Sequence, residues 1–128
     1  MTAAVRSLRA GALYFALVFA AGFALGAFRV LVTAPRLGEV GAVLLELPVM
    51  LFIAWLGCGW LTRRFAIRGP ERPAMGAVAF ALLMAAELAM SMVLFDRTPA
   101  AHFAAYLTPA GALGLTGQVA FGLMPLVR

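Results

Sequence analysis

The stretch AGALYFALVFAAGFALGAFRVLV, residues 10–32, holds one charged residue, Arg29, among its 23 positions. An α-helix needs about 20 consecutive apolar residues to cross the hydrocarbon core of a bilayer, and this run is long enough. Arg6 and Arg9, which precede it, also fit a secretory signal. Because the apolar core of such a signal is usually only about 7–15 residues long, we interpret the run as a retained membrane helix.

The rest of the chain has the same apolar character. Of its 128 residues, 65% are apolar and 12% are charged, and the mean hydropathy is +1.03. Soluble domains contain about 45–50% apolar and roughly 25% charged residues. The sequence therefore predicts a single membrane domain over residues 1–128, with the lipid bilayer as its partner, and it excludes an ordinary soluble fold.

Four apolar runs separated by short connections predict an all-α polytopic membrane protein, an up-down bundle of four transmembrane helices. The expected spans are residues 10–32, 39–61, 74–95 and 109–127. Within the second span, Pro48 leaves the carbonyl of Leu44 without its helical hydrogen bond. We expect neighbouring groups or water to satisfy this oxygen, and a kink that opens a pocket is the alternative.

The region before the fourth span contains two helix-start signals, Thr98-Pro99 and Thr108-Pro109. Threonine is a favourable N-cap, and proline suits the first helical position. We therefore expect a short helix at residues 99–107, lying in the membrane interface before the fourth span. A single helix kinked at Pro109 is the alternative.

Arginine accounts for all ten basic residues, and five acidic residues oppose them, which gives a net charge of +5. Four spans place both termini on one side, and seven arginines share that side: Arg6, Arg9, Arg63, Arg64, Arg68, Arg72 and Arg128. The other side has three: Arg29, Arg36 and Arg97. The positive-inside rule then predicts a bacterial inner-membrane protein with both termini in the cytoplasm. Because this topology accounts for the arginines, we do not expect nucleic acid as a partner.

Three ionisable residues lie within the predicted spans: Arg29, Glu46 and Glu87. Charges inside a membrane are costly and normally find partners. At about 1.5 Å per residue, the three lie roughly 5, 10 and 12 Å below the outer edge, so we expect a buried polar cluster. One guanidinium neutralises one carboxylate, so a second glutamate is left over. We expect at least one glutamate to be neutral at pH 7, unless Arg29 lies between both.

Four further polar residues complete the candidate site. Glu39 shares a helical face with Glu46, and together with His102 it is a candidate for the outer mouth. A lone interfacial histidine is usually solvated, which we expect here, and a proton acceptor above the glutamates is the alternative. Ser91 and Gln118 are expected to satisfy polar groups between packed helices.

The sequence carries no signal for metal, cofactor or enzyme chemistry. One cysteine, Cys58, and one histidine give no metal-ligand spacing and exclude a haem held by two histidines. A phosphate loop, a Ser–His–acid arrangement and a metalloprotease motif are all absent. We therefore expect no metal, no cofactor and no enzymatic activity.

Five segments of the chain carry a resemblance to known proteins. They are Gly26-x-Phe28-Arg29-Val30, Pro35-Arg36-Leu37-Gly38-Glu39, Leu45-Glu46-Leu47-Pro48-Val49-Met50, Met75-Gly76-x-x-Ala79-Phe80 through Glu87, and Gly114-Leu115-x-Gly117-Gln118. In this order they resemble an uncharacterised family of small four-span bacterial inner-membrane proteins. The resemblance implies an all-helical membrane fold and no particular activity.

Two functional hypotheses stay open at this point. In the first, which the sequence favours, Arg29, Glu46 and Glu87 set helix packing in an accessory or assembly subunit of a larger membrane complex or homo-oligomer. In the second, the chain is a small proton- or cation-coupled transporter in which Glu87 or Glu46 binds the ion. Arg29 would then tune the binding glutamate, and Glu39 would attract the ion at the outer mouth.

Overall fold

The computed structural model describes residues 2–128, in which every regular element is helical and no strand occurs. The helices are α1 (Ala3–Phe28), α2 (Ala34–Arg64), α3 (Glu71–Val93), α4 (Pro99–Ala104) and α5 (Pro109–Val127). A π-helical turn, Arg29–Thr33, joins α1 to α2, and a 3-10 turn, Ala105–Leu107, follows α4. The predicted all-helical fold class is confirmed.

The chain reverses its direction at Gly38, within α2. The φ of 77° and ψ of 168° at this residue belong to a region that essentially only glycine adopts. Contacts across the reversal join residues at increasing distance from it: Arg29 with Glu46, Gly22 with Met50, and Leu17 with Gly57. This is the pattern of an antiparallel helical hairpin. The backbone keeps helical φ and ψ through Pro48, so the break lies at the glycine.

The four long helical segments form a ring. α1 packs against α2 and α3, and α5 packs against the same two helices on the opposite side. Polar contacts join neighbouring helices at one end of the bundle: Arg6 with Glu71, Arg72 with the Pro125 carbonyl, and Arg128 with the Trp55 carbonyl. The start of α1, the end of α2, the start of α3 and the end of α5 all lie there. We call this the arginine-rich end.

The half of the bundle next to the arginine-rich end is closely packed. Its fully buried residues come from α1, α2, α3 and α5: Ala10, Tyr14, Ala54, Cys58, Leu61, Met75, Ala79 and Pro125. The Tyr14 hydroxyl crosses the bundle and donates to the Phe121 carbonyl at 2.7 Å. Pro125 has no N–H to give that carbonyl, so Tyr14 supplies the donor that α5 lacks.

Helices α3 and α5 approach each other closely through two glycines. A Cβ at Gly76 would overlap the Gly122 carbonyl, and a Cβ at Gly122 would lie 3.1 Å from the Cβ of Phe80. Small residues at such positions let helix backbones pack together without side chains between them. The α3–α5 contact therefore depends on the absence of side chains at both glycines.

The short helix α4 is separate from α5. Thr98 Oγ1 accepts a hydrogen bond from Ala101 N at 3.1 Å, and Thr108 Oγ1 accepts one from Gly111 N at 3.1 Å. Both predicted N-caps are confirmed. Thr108 has an extended backbone, with φ of −78° and ψ of 156°, so the alternative of one helix kinked at Pro109 is wrong.

Three helical segments are long and apolar enough to cross a membrane: Ala3–Arg64, Glu71–Val93 and Pro109–Val127. Large apolar side chains cover their outer surface, with Phe52 63% and Val93 80% exposed. Contiguous apolar surface of this extent is unfavourable in water and favourable in lipid. These features are those of a helical membrane protein.

Candidate functional site

A cavity of about 920 Å³ occupies the half of the bundle opposite the arginine-rich end. Most of its wall is apolar, but charged and polar side chains also face it, among them Arg29, Glu39, Glu46, Glu87, Arg97, Tyr106 and Gln118. Cavities of roughly 300–1,000 Å³ with a few polar groups in an apolar wall are typical of small-molecule sites. The size and lining of this cavity therefore make it the candidate functional site.

Arg29 and Glu46 form one part of the polar wall. Arg29 Nη1 is hydrogen-bonded and ion-paired to Glu46 Oε2, with the two side chains 34% and 15% exposed. Arg29 begins the π-helical turn, in which Thr33 Oγ1 donates to the Arg29 carbonyl at 3.3 Å. Single π-helical turns occur frequently at functional sites. The pair joins the two arms of the α1–α2 hairpin beside the cavity.

Glu87 has a different set of partners. Gln118 Nε2 lies 2.6 Å from both Glu87 carboxylate oxygens, and the Tyr106 hydroxyl donates to Oε2 at 3.3 Å. Both partners are neutral groups. Within residues 2–128, Glu87 has no ion pair, whereas Glu46 has one with Arg29. The structure thus brings Arg29 and Glu46 into contact and places Glu87 on another part of the same wall.

The hydrogen bonds continue from Glu87 through Tyr106 to α4. His102 Nε2 lies 3.2 Å from the Tyr106 hydroxyl, and His102 Nδ1 lies 2.7 Å from Ser91 Oγ. We call the hydrogen-bonded residues Ser91, His102, Tyr106, Glu87 and Gln118 the Glu87 network. His102 is only 7% exposed, so the expectation of a solvated histidine is wrong. The reason is that α4 packs against α3 and encloses the ring between Ser91 and Tyr106.

The Gln118 amide can meet Glu87 in two orientations. Its oxygen Oε1 is buried and has no hydrogen-bond partner within residues 2–128. The 2.6 Å distances to Glu87 are shorter than the usual N–H···O distance of about 2.9–3.0 Å and fall in the range of O–H···O bonds. A half-turn of the amide would put its oxygen against the carboxyl group, which then has to carry a proton. Gln118 can therefore serve either protonation state of Glu87.

Tyr106 is the link between Glu87 and His102. Burial raises the pKa of the Tyr106 hydroxyl to about 12, and the neighbouring Glu87 carboxylate adds to the effect. The hydroxyl is therefore protonated at neutral pH. With one proton it donates to Glu87 or to His102 Nε2, but not to both at once.

Two further predicted residues, Glu39 and Ser91, have different surroundings. Glu39 is exposed and lies on the cavity wall just after the Gly38 reversal. Ser91 is buried and bonds to His102, not to Glu87. Sequence reasoning missed Tyr106 and Arg97 as wall residues. For Tyr106 a signal existed, because it follows His102 by four residues and shares its helical face.

Within residues 2–128, no three side chains of His, Cys, Asp or Glu converge on one point.

Comparisons with protein-family models, with curated protein sequences and with solved structures found no match for this chain. The resemblance to small four-span bacterial inner-membrane proteins therefore stays a prediction. The geometry around Glu87 is the remaining guide to function.

Proposed function

We propose that this chain is a small proton- or cation-coupled transporter in which Glu87 binds the ion, and that the ion moves down an imposed gradient even without a second solute. The observation that carries the proposal is the position of Glu87. Its carboxylate lies on the wall of the 920 Å³ cavity and, within residues 2–128, is hydrogen-bonded to neutral partners only. Ionisable residues within membrane helices are rare and commonly mark ion or proton pathways.

The hydrogen bonds of the Glu87 network favour a proton over other cations as the bound ion. Gln118 can stabilise a carboxylate by donating to it, or a carboxylic acid by accepting from it. Tyr106 and His102 connect Glu87 to Ser91 at distances of 2.7–3.3 Å, and histidine is a common proton shuttle. Glu39 has no ion pair within residues 2–128, so its negative charge can attract cations toward the cavity.

The same proposal includes a membrane topology of four spans. The 62-residue segment Ala3–Arg64 is about three times as long as one span needs to be, and it folds back on itself at Gly38. It supplies the first two spans, α3 and α5 supply the other two, and α4 lies in the interface. Seven of the ten arginines belong to the arginine-rich end. By the positive-inside rule this supports the proposal that both termini lie in the cytoplasm of a bacterial inner membrane.

The test is proton flux through the purified protein in liposomes. An imposed pH gradient is followed with a pH-sensitive dye inside the vesicles, and the wild type is expected to dissipate the gradient faster than empty vesicles. Glu87→Gln is expected to abolish this flux because an amide cannot take up the proton. A flux driven by a sodium or potassium gradient that also depends on Glu87 identifies the cation form of the mechanism.

The matched control is Asp96→Asn, which also converts a carboxylate to an amide. Asp96 is exposed and lies outside the cavity wall, and asparagine tolerates its φ of 53°. This variant is expected to keep wild-type flux. A wild type without flux, or a folded Glu87→Gln variant with full flux, contradicts the proposal.

A second candidate function is that of an accessory or assembly subunit. The Arg29–Glu46 pair favours it, because a paired charge inside a membrane fixes how two helices pack without any need for an ion. Copurification of a defined membrane complex with the tagged protein from mild detergent is the test. A complex lost in Arg29→Gln but kept in Glu87→Gln supports this candidate over the transporter.

A further inference from the structure

A second cavity, of about 670 Å³, lies at the arginine-rich end between the start of α1 and the end of α2. Three arginines line it, Arg6 and Arg9 from α1 and Arg64 from α2. Leu13 and Phe65 form part of its apolar wall. The lining of this cavity is thus partly basic and partly apolar, and the cavity is distinct from the one that contains Glu87.

The arginines at the arginine-rich end outnumber the acidic side chains that could neutralise them. Glu71 is the one acidic residue at the arginine-rich end, and Arg6 occupies both its oxygens, at 2.8 and 3.3 Å. Within residues 2–128, neither Arg9 nor Arg64 forms an ion pair with a carboxylate. The Arg64 guanidinium lies over the ring of Phe65, 5.8 Å from its centroid, and both residues line the cavity.

We propose that this cavity binds the phosphate of an anionic phospholipid, with Arg9 and Arg64 as its donors. Guanidinium groups match phosphate oxygens with two parallel hydrogen bonds, and a pair of arginines can hold one phosphate from two sides. Basic pockets between helices at a membrane surface are typical sites for lipid headgroups. Arg6 contributes positive potential while it stays bonded to Glu71.

The position of the cavity favours a lipid over a soluble phosphate. Leu13 lies one turn deeper along α1 than Arg9 and is 48% exposed, so it offers an apolar surface directly below the arginines. Trp60, 58% exposed and one turn before Arg64, has the placement of an interfacial anchor. An acyl chain would cover Leu13 while the phosphate meets Arg9 and Arg64. Inorganic phosphate would leave that apolar surface uncovered.

The test measures lipid retention by native mass spectrometry of the purified full chain in detergent. Phosphatidylglycerol and phosphatidylcholine with the same acyl chains are titrated separately. We expect phosphatidylglycerol to be retained more strongly by the wild type. Arg9→Gln and Arg64→Gln are each expected to weaken its retention about fivefold, the effect of one arginine near an anionic surface. Arg36→Gln removes the same charge at the opposite end and is expected to change nothing.

Three results would overturn the proposal. The first is equal retention of the two lipids by the wild type, which needs no variant and so does not depend on how the variants fold. The second is an effect of Arg36→Gln as large as that of Arg9→Gln. The third is displacement of phosphatidylglycerol by excess inorganic phosphate, which assigns the cavity to soluble phosphate. Because lipid retention is measured without ion flux, this outcome is independent of the role proposed for Glu87.

Discussion

The Tyr14 hydroxyl on α1 donates a 2.7 Å hydrogen bond to the Phe121 carbonyl on α5, the oxygen that Pro125 leaves without a helical donor. The two residues also stack, with ring centroids 4.2 Å apart. α1 and α5 occupy opposite positions in the ring of helices. The Tyr14 side chain therefore connects two helices that face each other across the bundle, and it completes the hydrogen bonding of α5.

Tyr14→Phe is expected to lower the free energy of unfolding by about 1–3 kcal/mol, because it leaves a buried carbonyl unsatisfied. Unfolding in detergent can be followed with a thiol-reactive fluorophore. Cys58 is the single cysteine and is fully buried, so the fluorophore reacts when the bundle opens. In heating curves the variant is then expected to unfold at a lower temperature than the wild type.

The control for Tyr14 is a double-mutant cycle with Pro125→Ala. Alanine restores an N–H at position 125, so the Phe121 carbonyl regains its own helical donor. Tyr14→Phe is then expected to cost less in the Pro125→Ala background than in the wild type. Any packing cost of Pro125→Ala is present with and without Tyr14→Phe, so it cancels in the cycle. An equal cost in the two backgrounds contradicts the link between Tyr14 and Pro125.

Local signals in the sequence predicted much of the fold. The starts of α4 and α5 follow from Thr98 and Thr108, because capping depends on a few neighbouring residues. The predicted spans 10–32 and 39–61 leave a connection at residues 33–38, and the observed reversal lies at its last residue, Gly38, and not at Pro48. A proline can stay within a helix when nearby groups adapt, whereas the backbone at Gly38 has a conformation that excludes side chains.

The polar site could be predicted only in part, for a geometric reason. Counting residues from a span end gives depth, and the contact between Arg29 and Glu46 agrees with their similar depths. Depth says nothing about direction around the bundle axis, which decides that Glu87 meets Gln118 instead of Arg29. The part played by Tyr106 depends on how α4 folds against α3, which no local pattern fixes.

The Arg29–Glu46 pair is expected to contribute to stability as a unit. Arg29→Gln and Glu46→Gln each leave one charge without its partner beside the cavity, and each is expected to cost about 1–3 kcal/mol because the site is partly open. The double variant leaves no unpaired charge and is expected to cost less than the sum of the two. Thermal unfolding with the thiol-reactive fluorophore measures all three. Strictly additive losses would show that the pair has no coupling.

Alkaline pH is expected to destabilise the protein through Tyr106. The pKa of its hydroxyl rises from 10.0 to about 12 in the folded protein, so the unfolded chain loses this proton first as the pH increases. The corresponding stability is present in full below pH 10 and is lost between pH 10 and about 12. All ten basic residues are arginines, which stay charged over this window and do not obscure the effect.

The measurement for Tyr106 is the slope of unfolding temperature against pH, compared between the wild type and Tyr106→Phe. Phenylalanine has no hydroxyl proton to lose. The unfolding temperature of Tyr106→Phe is therefore expected to fall less steeply between pH 10 and 12 than that of the wild type. Glu87→Gln is expected to keep most of the wild-type slope, because burial is the larger cause of the raised pKa and the Glu87 charge the smaller one. Identical slopes in the wild type and Tyr106→Phe would contradict the burial of this hydroxyl.

The same substitution at two glycines is expected to change stability in opposite directions. At Gly76 the Cβ of alanine would overlap the Gly122 carbonyl, so Gly76→Ala has to push α3 and α5 apart and is expected to cost at least about 1 kcal/mol. At Gly114 nothing lies within 4 Å of an added Cβ, and Gly114→Ala is expected to stabilise α5 by about 0.5–1 kcal/mol through helix propensity. Because the chemical change is identical, helix propensity alone predicts the same sign at both sites. A Gly76→Ala protein that melts above the wild type would therefore show that α3 and α5 do not touch at this point.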